Sequence, residues 1–225
     1  MQTVQPGIRF GFNYATYDQN DSLFVKATIY DITTGTPVLL RTTNMLDVSN
    51  GCYSGSTIAL SGKTVLIIAL VYTDGTYSTI DTTRAPWCDI YKSSDALDTF
   101  LAFNYAMFDQ SSQFIAANIY NITSGTPVFV VQVPMTLIIG GVYFGYFNGI
   151  EVQNYEAIKI IYTDGTYVTP DTDYAPATDS LQVVPSSNSG NIVLAQLLLS
   201  MLQVAAGGPI GCVVNSNTVE GEIVC

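Results

Sequence analysis

The sequence predicts a mainly β protein: two tandem antiparallel β-sandwiches followed by one short apolar helix and a terminal β-hairpin. Three observations carry this. Charged residues are only 11 % against 48 % hydrophobic, with 15 Tyr and 10 Phe, and aromatic and β-branched side chains suit a pleated surface. Five blocks of sequence recur in one order. Short alternating runs are divided by turn residues, with no helical pattern between them, which argues against a parallel sheet with crossover helices. The same composition excludes a solvated disordered chain and a coiled coil.

The repeat is read directly from the residues. FNYATYDQ (12–19) matches FNYAMFDQ (103–110), and IYDITTGTPV (29–38) matches IYNITSGTPV (119–128). GCYSG (51–55) matches GVYFG (141–145), YTDGTY (72–77) recurs at 162–167, and DTTRAP (81–86) matches DTDYAP (171–176). The copies span about 8–87 and 99–177, joined near Trp87–Asp98. The expected domains are 1–98, 99–182 and a tail, 183–225.

Within copy one, strands are expected at Arg9–Tyr17, Leu23–Ile32, Val38–Met45, Cys52–Leu60, Thr64–Tyr72 and Tyr77–Thr82. Turn residues separate them: Gln19-Asn20-Asp21, Thr34-Gly35-Thr36-Pro37, Ser49-Asn50-Gly51, Ser61-Gly62 and Asp74-Gly75. Asp-Gly between two strand-like runs is a hairpin signal, because such a turn needs φ > 0. Pro37 opens a strand, where its missing N–H does least harm. Six or seven short strands in so few residues suit a small sandwich of immunoglobulin-like type.

In the tail, PSSNSGN (185–191) reads as a linker and about 191–206 as a helix. Ser189 or Asn191 would cap it, and Gly207-Gly208-Pro209 would stop it. Gln196, Ser200 and Gln203 form one polar line. Val193, Leu194, Leu197, Leu198, Leu199, Met201, Leu202 and Val204 surround the rest of the axis. A helix apolar nearly all round must be buried, so these eight residues are the expected assembly interface. The final segment reads as a hairpin around Asn215-Ser216-Asn217.

The chemistry is read mostly by exclusion. The net charge is −11, and residues 101–225 hold a single base, Lys159. Such a surface repels nucleic acid. The apolar run from Ile192 to Ala206 is too short and too interrupted to span a bilayer, so no membrane span is expected. There is no His, which removes the commonest general base. No nucleophile motif, phosphate loop or dinucleotide fingerprint occurs; neither a catalytic residue nor a cofactor is expected.

No metal site is expected either. The residues a Ca²⁺ ion would use are Asp164, Asp171 and Asp173, but Asp at turns is ordinary turn chemistry. The four cysteines, Cys52, Cys88, Cys212 and Cys225, form no CxxC motif. All four are disulfide candidates: Cys52 with Cys88, since copy two lacks both, a pattern that equally suits two unrelated apolar fillers, and Cys212 with Cys225, which flank the terminal hairpin; sequence alone derives neither pairing. Exposed tyrosines could stack on sugars, although such rings more often fill cores.

The succession TGTPV, GxYxG, YTDGTY over residues 8–177 resembles the immunoglobulin-like and transthyretin-like sandwich repeats of bacterial surface proteins and phage virion proteins. The resemblance implies a decoration, fibre, adaptor or adhesion unit. Residues 1–7 show neither a basic n-region nor an apolar h-region, which tips the expectation toward a virion protein whose partners are itself and other virion proteins. The alternatives are an exported surface or filament subunit, placed outside the cell or at its surface, and a carbohydrate-binding module.

Overall fold

A computed structural model describes residues 1–96, 100–150 and 152–183, with the backbone of two short strands at 213–214 and 223–224. The chain divides into two compact units, Met1–Val184 and Pro185–Cys225. The first holds both repeats. Among the described residues the structure is all strand, turn and loop, and no helix is long and apolar enough to cross a membrane.

Copy one supplies β1 (Gln2–Val4), β2 (Arg9–Ala15), β3 (Phe24–Asp31), β4 (Val38–Asn44), β5 (Leu46–Ser49), β6 (Cys52–Ile58), β7 (Thr64–Tyr72) and β8 (Trp87–Ser93). They form one sheet in the order β1-β8-β7-β3-β4 and another in the order β2-β6-β5. Copy two supplies β9 (Phe100–Ala106), β10 (Phe114–Asn121), β11 (Val128–Pro134), β12 (Thr136–Ile139), β13 (Val142–Asn148), β14 (Asn154–Tyr162) and β15 (Ala177–Gln182). Its sheets run β11-β10-β14-β15 and β12-β13-β9. The plan is the same but for β1, which adds to β8 in parallel. All other pairings are antiparallel.

Each repeat closes two sheets over one core. In copy one Phe12, Tyr14 and Tyr53 meet Val25, Ile29, Ile67 and Val71. In copy two Phe103 and Tyr143 meet Ile115, Ile119, Ala157 and Ile161. The two most recognisable motifs are joined here. Gly51 and Gly141 sit at φ 72° and 79°, a conformation that suits glycine. Tyr53 and Tyr143 are buried, and their hydroxyls accept from Leu23 N (2.7 Å) and Gln113 N (2.6 Å). The last glycine of each motif, Gly55 or Gly145, pairs with Phe12 or Phe103. A Cβ there would lie 2.4 Å from that ring. Thus GxYxG is a turn, a core anchor and a space left for the FNY phenylalanine.

The expected strand at 77–82 is not formed. Only one bridge, Tyr72 to Ile80, survives from it. Nor is Asp74-Gly75 a hairpin turn with glycine at positive φ: the left-handed residue is Tyr77, at φ 54°. The Asp74 carboxylate instead accepts from Thr76 N at 2.9 Å, an Asx turn that opens a loop. Edge-on packing of Tyr77 on Tyr72 and Phe24 holds that loop down. The missing strand comes later: the stretch from Trp87, expected as a joint, begins β8.

The repeats dock through a third apolar cluster. Ile32, Leu66, Ile68, Leu70, Tyr72 and Ile90 of copy one meet Ala102, Val142 and Phe144 of copy two. Alternate residues of β7 therefore face opposite cores, and all nine of its positions are buried. Continuous apolar runs mark strands covered on both faces. Its counterpart β14 buries the inward set, while Glu156, Ile158 and Ile160 stay partly exposed. The TGTPV turn joins this contact: a Cβ on Gly35 would lie 2.5 Å from the Tyr146 ring, whereas Gly125 in copy two has open space.

In the second unit, β16 (Val213–Val214) pairs antiparallel with β17 (Ile223–Val224). The expected turn at 215–217, the helix at 191–206 and its eight interface residues lie outside the described residues.

Candidate functional site

A groove of about 640 Å³ lies where the loop after β2, the loop before β8 and Phe108 of copy two come together. Copy one builds its floor. The Tyr14 hydroxyl donates to Ala85 O at 2.9 Å, and burial pushes its pKa up. Pro86 and Trp87 lead into β8. Copy two closes the side through Gln110, whose Nε2 donates to Arg84 O at 3.1 Å.

Arg84 is the electrostatic centre. Its guanidinium lies 3.4 Å from Asp21, 3.8 Å from Asp18 and 3.9 Å from Asp81, and donates to Thr16 Oγ1 at 3.3 Å. The Asp18 carboxyl lies below its ordinary value chiefly because Asn20 N–H donates to it, with Arg84 adding to the effect. Asp81 is lowered first by the Thr83 hydroxyl, then by Thr83 N–H and Arg84. One cation therefore faces three carboxylates, and the cluster is net negative. Copy two has Tyr174 where Arg84 stands and Ala177 where Trp87 stands, so it lacks these two lining side chains.

Two aromatic rings stand free at its rim. Tyr17 is fully exposed, at 106 %, and Phe108 is 62 % exposed. They occupy matching positions in FNYATYDQ and FNYAMFDQ, and docking of the repeats brings both to one groove. Their equivalence is legible in the sequence; their exposure is not. Arg84 and Trp87 are legible only as places where the two copies differ.

The acidic residues singled out by sequence serve turns. Asp164 accepts from Thr166 N and Asp171 from Asp173 N, each at 3.0 Å. Hydrogen bonds from Thr166, its hydroxyl first, hold Asp164 below the usual carboxylate range. Among the described residues no group of three acidic or cysteine side chains could hold a metal ion. Lys159, read only as a lone base, is buried: its ammonium donates to Asn104 O and Asp179 Oδ2, both at 2.7 Å.

Cys52 and Cys88 are free thiols. Tyr53 and Trp87 pack on the core, so their chain neighbours Cys52 and Cys88 point outward from opposite sheets. Facing sheets lie about 10 Å apart, beyond the roughly 7 Å Cα separation a disulfide tolerates. The Cys52–Cys88 pairing is therefore corrected. Cys88 Sγ instead donates to Asn104 Oδ1 across the repeat contact at 3.1 Å, and burial pushes its pKa up to about 12. Cys212 and Cys225 lie outside the described residues. After a short maleimide pulse, peptide mapping is expected to find Cys52 labelled and Cys88 unlabelled, because the thiolate is the reactive form. Label on Cys88 under native conditions would show that the repeat contact opens.

No protein-family model matches the sequence, and no curated protein matches it.

Proposed function

We propose that this chain is a non-enzymatic structural protein of a phage virion, in which two immunoglobulin-like sandwiches form the body and the C-terminal tail mediates assembly. The supporting observation is an apolar flank carried by both repeats. β4 and β11 are sheet edges, and Val38, Leu39 and Leu40 on one and Val128, Phe129, Val130 and Val131 on the other are exposed. A monomer normally blunts such edges with charge or proline. Here β11 carries no charge and has Pro134 only at its end, β4 carries a single charge, Arg41, and each edge strand has a register shift, beside Leu40 and Val130. Exposed patches of this kind mark surfaces that meet other proteins. Tandem sandwiches with such flanks suit a decoration, fibre or adaptor unit.

The test is the mass of the full chain in solution, with proteomics of purified particles. Oligomers at micromolar concentration and recovery from virions are expected. A stable monomer, or absence from particles made by the host that encodes it, overturns the reading.

A further inference from the structure

We infer that the groove beside Arg84 binds a neutral glycan, with Tyr17 and Phe108 as ring platforms on its two sides. The inference does not rest on the virion reading.

The geometry narrows the ligand class step by step. Exposed rings offer flat apolar faces of fixed orientation, and a large ring left in water forgoes the burial that stabilises its neighbours. Tyr17 belongs to neither repeat core nor the docking cluster. A ligand that uses both rings must present flat apolar faces of its own. The groove volume, about 640 Å³, lies within the usual range for ligand sites.

Charge decides next. Arg84 is already shared among Asp18, Asp21 and Asp81. Of this cluster only Arg84 and Asp18 line the groove, but Asp21 and Asp81 also neutralise Arg84, so no free cation is offered to a phosphate, sulfate or carboxylate. The remaining polar groups are mostly acceptors. The Asp18 carboxylate is 42 % exposed, and charge-assisted hydrogen bonds from hydroxyls to carboxylate are among the stronger ones. A neutral molecule with hydroxyl donors around its edge and C–H groups on its faces meets every condition, and a pyranose has that form. An apolar peptide would strip water from the Asp18 carboxylate and offer no hydroxyl donors in its place. Both repeats contribute, since Phe108 and Gln110 come from copy two, so the site exists only while the repeats are docked.

The experiment uses the full chain on an array of neutral oligosaccharides, with sialylated and sulfated ones as the counter-set. Trp87 is the single tryptophan and lines the groove, so its fluorescence reports binding at this site alone. Neutral glycans are expected to shift Trp87 emission, and acidic ones to bind less. Tyr17→Ala and Phe108→Ala should each weaken binding about tenfold, in line with the loss of one ring contact. Phe129→Ala, an exposed ring outside both the groove and the repeat contact, should leave it unchanged. Both rim rings are exposed, so circular dichroism and oligomeric mass should not move; a change in mass alone would bear on assembly and not on this site. Failure of every neutral glycan to bind, or binding that survives loss of both rings, overturns the inference.

Discussion

Ile68→Asp is expected to uncouple the two repeats, whereas Ile158→Asp at the matching position of copy two should be tolerated. Ile68 is fully buried between the repeats, with Leu66, Leu70 and Phe144 in the same cluster and Thr28 and Cys88 as its cross-strand neighbours. An uncompensated buried charge costs about 3–5 kcal/mol, and lost apolar burial adds about 2 kcal/mol more. The penalty falls on the repeat contact and not on either core, so the repeats should separate before either core unfolds. Ile158 sits on the same face of β14 but is only partly covered, and a change there should stay near 1 kcal/mol. Urea unfolding followed by tyrosine and Trp87 fluorescence distinguishes them. One transition should become two in Ile68→Asp alone. Equal behaviour of both variants would show that the contact is not made in solution.

The second large effect concerns Lys159 and has an asymmetry of sign. Lys159 is 5 % exposed, while the carboxylate it meets on Asp179 is 39 % exposed. Asp179→Ala leaves a buried ammonium with Asn104 O as its remaining partner, and should cost about 2–3 kcal/mol, below a fully buried pair because water reaches the carboxylate side. Lys159→Met keeps most of the volume, removes the charge and leaves Asp179 to the solvent. It should be neutral or stabilising by about 1 kcal/mol. Copy one shows that the lysine is replaceable. The cross-strand pair there is Ala69 with Trp87; in copy two it is Lys159 with Ala177. Large and small have changed sides of one strand pair. Thermal unfolding of both variants decides the matter: a Lys159→Met variant as unstable as Asp179→Ala would show that the ion pair, and not the filled space, holds this corner.

The β character, the repeat and most strand positions are legible because they rest on local pattern. Alternation, Gly at turns and the recurrence of GxYxG each follow from one strand and its neighbour. The errors lie where tertiary packing overrides pattern. Residues 77–82 alternate and follow Asp-Gly, yet Tyr77 is drawn aside by Tyr72 and Phe24. β8 looks like a linker because Asp89 and Lys92 interrupt its apolar residues, while its outward pair, Cys88 and Ile90, is apolar for the sake of copy two. The contrast between TVLIIALVY and NYEAIKIIY is the one visible trace of the repeat contact. The groove is almost invisible in sequence, since it is made by docking and no motif records where two loops will meet.

The repeat contact also has a direction. It sets the outer face of one sheet in copy one against the outer face of the other sheet in copy two, so the surfaces are unlike and no two-fold axis relates them. A contact of that heterologous kind does not close on itself; continued from chain to chain it would yield rings or open fibres. The two outer end faces differ from the docked ones in side-chain chemistry. On copy two, Glu156 and Ser180 replace Leu66 and Ile90; on copy one, Arg9, Cys52 and Ser54 replace Phe100, Val142 and Phe144. These polar replacements serve as end caps, as terminal repeats do in stacked-repeat proteins. Side-chain chemistry, not the backbone, thus separates the docked faces from the outer ones, and a few apolar reversions on the outer faces are expected to favour further stacking.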